Sequence, residues 1–118
     1  MKLNYITIMV GDIEKAIEFY QKWVGLKLVN HLHLEMGQIV FLSNGKNETM
    51  LELIQFKDAE KVSMSGIVMS YSTDEKFDAL RERALHLGYS PTKIICHSTK
   101  SDYFRLLDSD GITVEFSI

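Results

Sequence analysis

The 118-residue chain is 46% hydrophobic and 25% charged, the balance of a globular protein with apolar material for one modest core. Its net charge of -3, with acids interleaved among the 13 Lys and Arg, excludes the dense basic surface that nucleic acid requires. A lone cysteine, Cys96, excludes an internal disulfide, and no apolar run approaches the roughly 20 residues of a membrane helix, so a cytoplasmic protein that avoids membranes is expected.

Residues 5–10 form a short apolar strand pattern with no signal-peptide core before it. Asp12 is placed to cap a helix that carries Ile13, Ala16, Ile17, Tyr20 and Val24 at helical spacing and stops at Gly25. Two strands follow, residues 27–35 and 38–43. The turn Asn44-Gly45-Lys46-Asn47 then leads to an apolar-Glu-apolar strand, Leu51-Glu52-Leu53. The polar stretch 56–65 reads as a connector.

The second half repeats this order. A strand spans 66–71, and Ser72 with Glu75 fits a capping box. The helix then carries Phe77, Leu80, Ala84 and Leu87 and stops at Gly88. Strands over 92–97 and 102–107, the turn Asp108-Ser109-Asp110-Gly111 and the strand Val114-Glu115-Phe116 complete it. Tyr5 with Gly66, Asp12 with Asp74 and Glu52 with Glu115 lie 61, 62 and 63 residues apart. The chain therefore reads as a single α+β domain of two tandem βαβββ modules, about 1–57 and 64–118.

Alternation along strands sorts the side chains into two faces. One collects Ile6, Ile8, Leu51, Leu53, Ile67, Tyr71, Val114, Phe116 and Ile118, an apolar face for the helices. The other mixes Met9, Met50, Ile54 and Val68 with Tyr5, Thr7, Glu52, Ser70 and Glu115. In residues 102–107 the same logic turns Phe104 and Leu106 to the helices and Tyr103 and Arg105 to the mixed face. Apolar walls with a few convergent polar groups have the character of a small-molecule site. The expected ligand-binding residues are Tyr5, Thr7, Glu52, Ser70, Tyr103, Arg105 and Glu115, with Arg105 either paired to a Glu or holding an anionic group of the ligand. His31 and His33 alternate on a strand expected at a sheet edge, away from the two Glu. His86 and His97 read as surface residues, and Cys96, next to Ile94 and Ile95, as a small core residue.

Three segments carry a resemblance to a known family. They are the run from Ile8 through Val10-Gly11-Asp12 to Phe19-Tyr20, the pair Gly25-Leu26, and Leu107-Asp108-Ser109-Asp110-Gly111 followed by Glu115. Together they resemble the vicinal oxygen chelate superfamily, which includes glyoxalase I, bleomycin-resistance proteins, fosfomycin-resistance enzymes and extradiol dioxygenases. The resemblance implies a curved mixed sheet around a cavity, helices on the outer face, and a homodimer. Its metal-using members hold a divalent ion with one residue from the first and last strand of each module, typically His and Glu. Glu52 and Glu115 match the Glu positions, whereas Tyr5 and Gly66 stand where His or another ligand is usual. Two carboxylates without imidazole make a weak, hydrated site, so no cofactor is expected, and Glu52 and Glu115 are weak metal candidates. Two functions follow from the resemblance. One is a binding protein for a small organic molecule, its metal site incomplete. The other is a metal-dependent lyase or isomerase of the glyoxalase I kind, with Glu52 or Glu115 as the catalytic base.

Overall fold

Two four-stranded mixed sheets, each joined to one helix, carry the chain. The structure, a computed structural model, describes residues 1–45, 47–58, 66–97 and 100–118. The chain divides into two compact units, Met1–Ser63 and Met64–Ile118. Unit 1 contains β1 (Tyr5–Met9), α1 (Ile13–Ile17), β2 (Lys27–Leu34), β3 (Gly37–Ser43) and β4 (Met50–Phe56), with sheet order β1-β4-β3-β2. Unit 2 contains β5 (Val68–Ser72), α2 (Phe77–His86), β6 (Ile95–His97), β7 (Lys100–Leu107) and β8 (Thr113–Ser117), with order β5-β8-β7-β6. In each, the first strand runs parallel to the last and the remaining pairs are antiparallel. The α+β class and the βαβββ order are those the sequence predicts. The expected connector, 56–65, begins inside β4 and from residue 59 lies outside the described residues, as does Lys46 of the expected turn. No helix among the described residues is long and apolar enough to cross a membrane.

The start of α1 is fixed twice. Asp12 Oδ1 accepts the N–H groups of Glu14 and Lys15 at 3.1 and 3.2 Å, the expected cap. Gln55 Oε1 accepts the Ile13 N–H at 2.8 Å, tying the helix to β4. Beyond Ile17 the helix widens into a π-helical turn, Glu18–Trp23, closed by Val24 N–H to Phe19 O at 3.0 Å. The wider turn lets the adjacent residues Phe19 and Tyr20 both face the core, with ring centroids 4.9 Å apart. They join buried Ile13, Ala16 and Trp23 with Ile8, Val40, Leu42 and Leu53 of the sheet. At about 1.5–3 kcal/mol per buried large side chain, this face is the main source of unit 1 stability. In unit 2 the core runs through Phe77, Phe104 and Phe116, with centroids 5.1 and 5.4 Å apart, and buried Leu80, Ala84, Leu106 and Val114. Both helices end at a glycine of positive φ, Gly25 at 89° and Gly88 at 88°, as predicted.

Three local expectations change. Ser72 does not cap α2: it pairs with Ser117 as the last residue of β5, and the Thr73 N–H continues to Ser117 O at 2.9 Å. Strand pairing takes precedence over the capping box, and α2 starts after Lys76 with no side-chain cap. The strand expected from Thr92 starts only at Ile95, because the Thr92 hydroxyl accepts the Arg105 N–H at 3.0 Å in place of a ladder bond. Ile6, Ile67 and Ile118, expected under the helices, are 49%, 37% and 62% exposed. Ile6 sits on the edge strand β1, and the other two lie just outside β5 and β8.

Candidate ligand-binding site

Strand register brings the polar residues together within each unit. In unit 1, β1 sets Thr7 opposite Glu52 on β4; in unit 2, β5 sets Ser70 opposite Glu115 on β8. Each hydroxyl donates to its carboxylate, Thr7 to Glu52 Oε1 and Ser70 to Glu115 Oε1, the latter at 3.1 Å. Both pairs are separated by 45 residues, and both carboxylates are buried, Glu52 at 9% exposure and Glu115 at 6%. The same register corrects one equivalence. Tyr5 lies opposite Met50, and the matching position in unit 2 is Val68, opposite Thr113. Gly66 precedes β5 and matches neither.

The units differ on their third sheet-forming residue. Opposite Glu115 on β7 stands Arg105, whose Nε and Nη2 donate to Glu115 Oε2 at 3.0 and 2.9 Å. Its guanidinium lies 5.1 Å from the centre of the Tyr103 ring, and its main chain exchanges bonds with Thr92. Ser70, Tyr103, Arg105 and Glu115 therefore share one face, with Arg105 paired to a Glu as the first of its two expected roles has it. Opposite Glu52 on β3 stands Phe41, an aromatic side chain. Among the described residues, the hydroxyl of Thr7 is the one hydrogen-bond partner of Glu52, and no cation pairs with it. The Tyr5 ring meets Phe41 edge-on at 5.7 Å and 77°. Tyr5, Thr7 and Glu52 thus share a face, and Phe41 belongs with them although the sequence reading did not select it. An open cavity of about 510 Å³ adjoins the Tyr5 end, lined by Lys2, Asn4, Tyr5, Lys27, Ser43 and Met50 among others.

The histidines lie elsewhere. β2 is an edge strand, and the cross-strand row Leu53–Val40–His31 puts His31 on the helix-bearing face, opposite in sense to Glu52. His31 bonds Gln38 Oε1 through Nε2 at 2.8 Å and stacks on His33 at 4.3 Å. His86 is exposed in the last turn of α2, and His97 belongs to β6 by its backbone. Cys96 is exposed rather than part of the core, because β6 is an edge strand. Its hydrogen bond to Asp102, with the charge of that carboxylate, pushes the thiol pKa up.

The donors present do not fit a divalent transition metal. Among the described residues no imidazole is placed on either carboxylate face, Tyr5 and Val68 occupy the first-strand positions, and Arg105 already supplies a positive charge to Glu115. Among the described residues, no group of three or more His, Cys, Asp or Glu converges as a metal site.

Comparison with known proteins agrees with this architecture. The chain is 27% identical to a lactoylglutathione lyase of Neisseria meningitidis over 98% of its own length and 89% of the relative's. It superimposes on Leishmania major glyoxalase I with a TM-score of 0.81 at 20% identity, covering 99% of this chain and 86% of that one. It superimposes on TnmS3, an antibiotic binding protein from Streptomyces sp. CB03234, with a TM-score of 0.79 at 19% identity, covering 99% and 94%. Residues 2–116 match this family's pattern, and the chain belongs to the Glyoxalase/Bleomycin resistance protein/Dioxygenase superfamily.

Proposed function

We propose that this protein binds a small organic molecule without a metal, holding it on the carboxylate face of unit 1 through Tyr5, Thr7 and Glu52. The carrying observation is the contrast between the two buried carboxylates. Glu115 is neutralised by Arg105 inside the protein, whereas Glu52, among the described residues, has the Thr7 hydroxyl as its partner and the Phe41 ring, which meets Tyr5, opposite it. A buried carboxylate left without a cation is costly unless a ligand completes it. Ser70, Tyr103, Arg105 and Glu115 form the corresponding face of unit 2, with its charges satisfied internally. That TnmS3 is an antibiotic binding protein is consistent with this reading. We place the protein in the cytoplasm as a homodimer; the edge strand β2, with Val29 and Leu34 58% and 46% exposed, offers apolar surface for a second copy. The test is a screen of small amphiphilic molecules by amide chemical-shift mapping on wild type and Glu52→Gln. Shifts centred on Tyr5, Thr7 and Glu52 that vanish in the variant are expected. Their absence for every compound defeats the reading.

The name of the Neisseria relative favours a second reading, a glyoxalase-like lyase or isomerase. Glu52 would then be the proton-moving base, since Glu115 is engaged by Arg105. Turnover of the hemithioacetal of methylglyoxal and glutathione, abolished by Glu52→Gln, would establish it.

A further inference from the structure

The two units make the same site twice, and one of the copies is filled by the protein itself. In unit 2 the first strand gives a hydroxyl (Ser70), the last strand a buried carboxylate (Glu115), and the third strand a guanidinium (Arg105) that lies over an aromatic ring, Tyr103. In unit 1 the first strand gives a hydroxyl (Thr7) and the last strand a buried carboxylate (Glu52). The third strand gives Phe41, whose ring packs against Tyr5. The hydroxyl and the carboxylate recur; each carboxylate also has aromatic surface on its third strand, but Phe41 takes the position that Arg105 holds, and among the described residues no cation recurs.

From this correspondence we infer that Glu52, with the Tyr5 and Phe41 rings, binds a monovalent organic cation carrying N–H donors, a guanidinium or protonated amine borne by the ligand. The inference rests on the proposed ligand-binding role and names the chemistry of that ligand. Three physical terms act together at this site. The carboxylate attracts the charge and accepts its N–H bonds, and burial strengthens both effects. The ring faces add a cation–π attraction, strongest where water is excluded. Thr7 occupies Glu52 Oε1, which leaves Oε2 for the incoming donor, as Oε2 of Glu115 is the oxygen Arg105 takes. The neighbouring cavity carries Lys2 and Lys27 as well as Glu48, so the cationic group belongs at Glu52 and the uncharged or acidic body of the ligand toward the lysines.

Calorimetric titration of the intact chain with butylguanidinium, butylammonium and the neutral isostere butylurea tests the inference. Wild type should bind one equivalent of at least one cation and bind butylurea at least tenfold more weakly, as expected where a charge-assisted bond is lost. Glu52→Gln, which keeps side-chain size and an acceptor for Thr7, should lose the cation by about tenfold or more. Arg105→Met should gain a second equivalent, because the vacated Glu115 then becomes a copy of the unit 1 site. Equal binding of urea and cation, or undiminished binding by Glu52→Gln, overturns the inference. Binding by Arg105→Met alone also overturns it. Neutral or anionic compounds that shift the Tyr5, Thr7 and Glu52 amides while both cations fail would overturn the cation assignment and leave the ligand-binding role standing. Failure of every compound in both assays would remove that role as well.

Discussion

Arg105 and Glu115, ten residues apart in sequence, face each other across β7 and β8, and two guanidinium nitrogens converge on the one carboxylate oxygen that Ser70 leaves free. The pairing makes Glu115 internally complete and sets it apart from Glu52. The side chain of Glu115 is 8% exposed and that of Arg105 37%. Arg105→Met should therefore leave a buried carboxylate without its cation and lower stability by about 1–3 kcal/mol, less than for a fully buried pair because the guanidinium reaches solvent. Adding Glu115→Gln to that variant should recover part of the loss. Urea denaturation of the single and double variants measures both. An unchanged midpoint for Arg105→Met would mean that the pair contributes nothing to folding.

The donor chemistry of the two faces leads to an expectation about metals. Chelator-free protein should contain well under one nickel, zinc or iron per chain, and dialysis against EDTA should leave its thermal midpoint unchanged. Catalytic zinc sites usually take three protein ligands, and among the described residues two carboxylates, one already paired with Arg105, stand without imidazole. About one metal per chain by elemental analysis would instead require ligands from outside these two faces.

Much of this was legible because it is local. Asp12, Gly25 and Gly88 act within a turn of where they stand, so capping rules place them. Glu52 and Glu115 are recognisable as a pair because each sits in an apolar-Glu-apolar strand and they lie 63 residues apart, close to the 61 and 62 of the other repeated positions. Phe41 was hidden because its hairpin is one residue longer than that of Arg105, so the repeat slips by one between β3 and β4. That slip is a property of loop length, which strand periodicity does not report. Ser72 and Cys96 were misread for a related reason. Whether a residue pairs or is covered depends on which strands lie at the sheet edge, and edges are set by topology.

Gly37 opens β3 at φ 149°, and a Cβ added there would stand 1.9 Å from the carbonyl oxygen of Gln55. That neighbour is backbone of β4 and cannot rotate away. Gln55 is also the residue that holds the first N–H of α1. Gly37→Ala should therefore cost more than the ~1 kcal/mol of an ordinary left-handed glycine, about 2–4 kcal/mol, since β3 and β4 must separate locally. Gly25→Ala, where a Cβ meets nothing within 4 Å, should stay near ~1 kcal/mol. Equal losses for the two variants by thermal unfolding would show that the Gln55 contact is relieved without cost.

Tyr71 provides a pH dependence whose sign is fixed by its surroundings. Its ring stacks on Phe116 at 6.1 Å, and burial, reinforced by the charge of Asp108, pushes its pKa up from 10.0 to about 12. Burial disfavours the phenolate, and the neighbouring carboxylate repels it. Between pH 10 and 12 the unfolded chain has lost this proton and the folded chain retains it, so the unfolded state binds fewer protons and stability falls as pH rises. The contribution is fully present below about pH 10 and is lost toward pH 12, a decline of roughly 2–3 kcal/mol for a two-unit shift. Tyr71→Phe removes the titrating group and should flatten this part of the stability curve. Asp108→Asn keeps an Oδ1 acceptor for the N–H groups of Asp110 and Ile112 but removes the charge, and should bring the phenol part of the way back. Urea midpoints from pH 9 to 12, with phenolate absorbance followed in the folded protein, provide the measurement. A Tyr71→Phe curve parallel to that of wild type would show that Tyr71 is not the source of the decline.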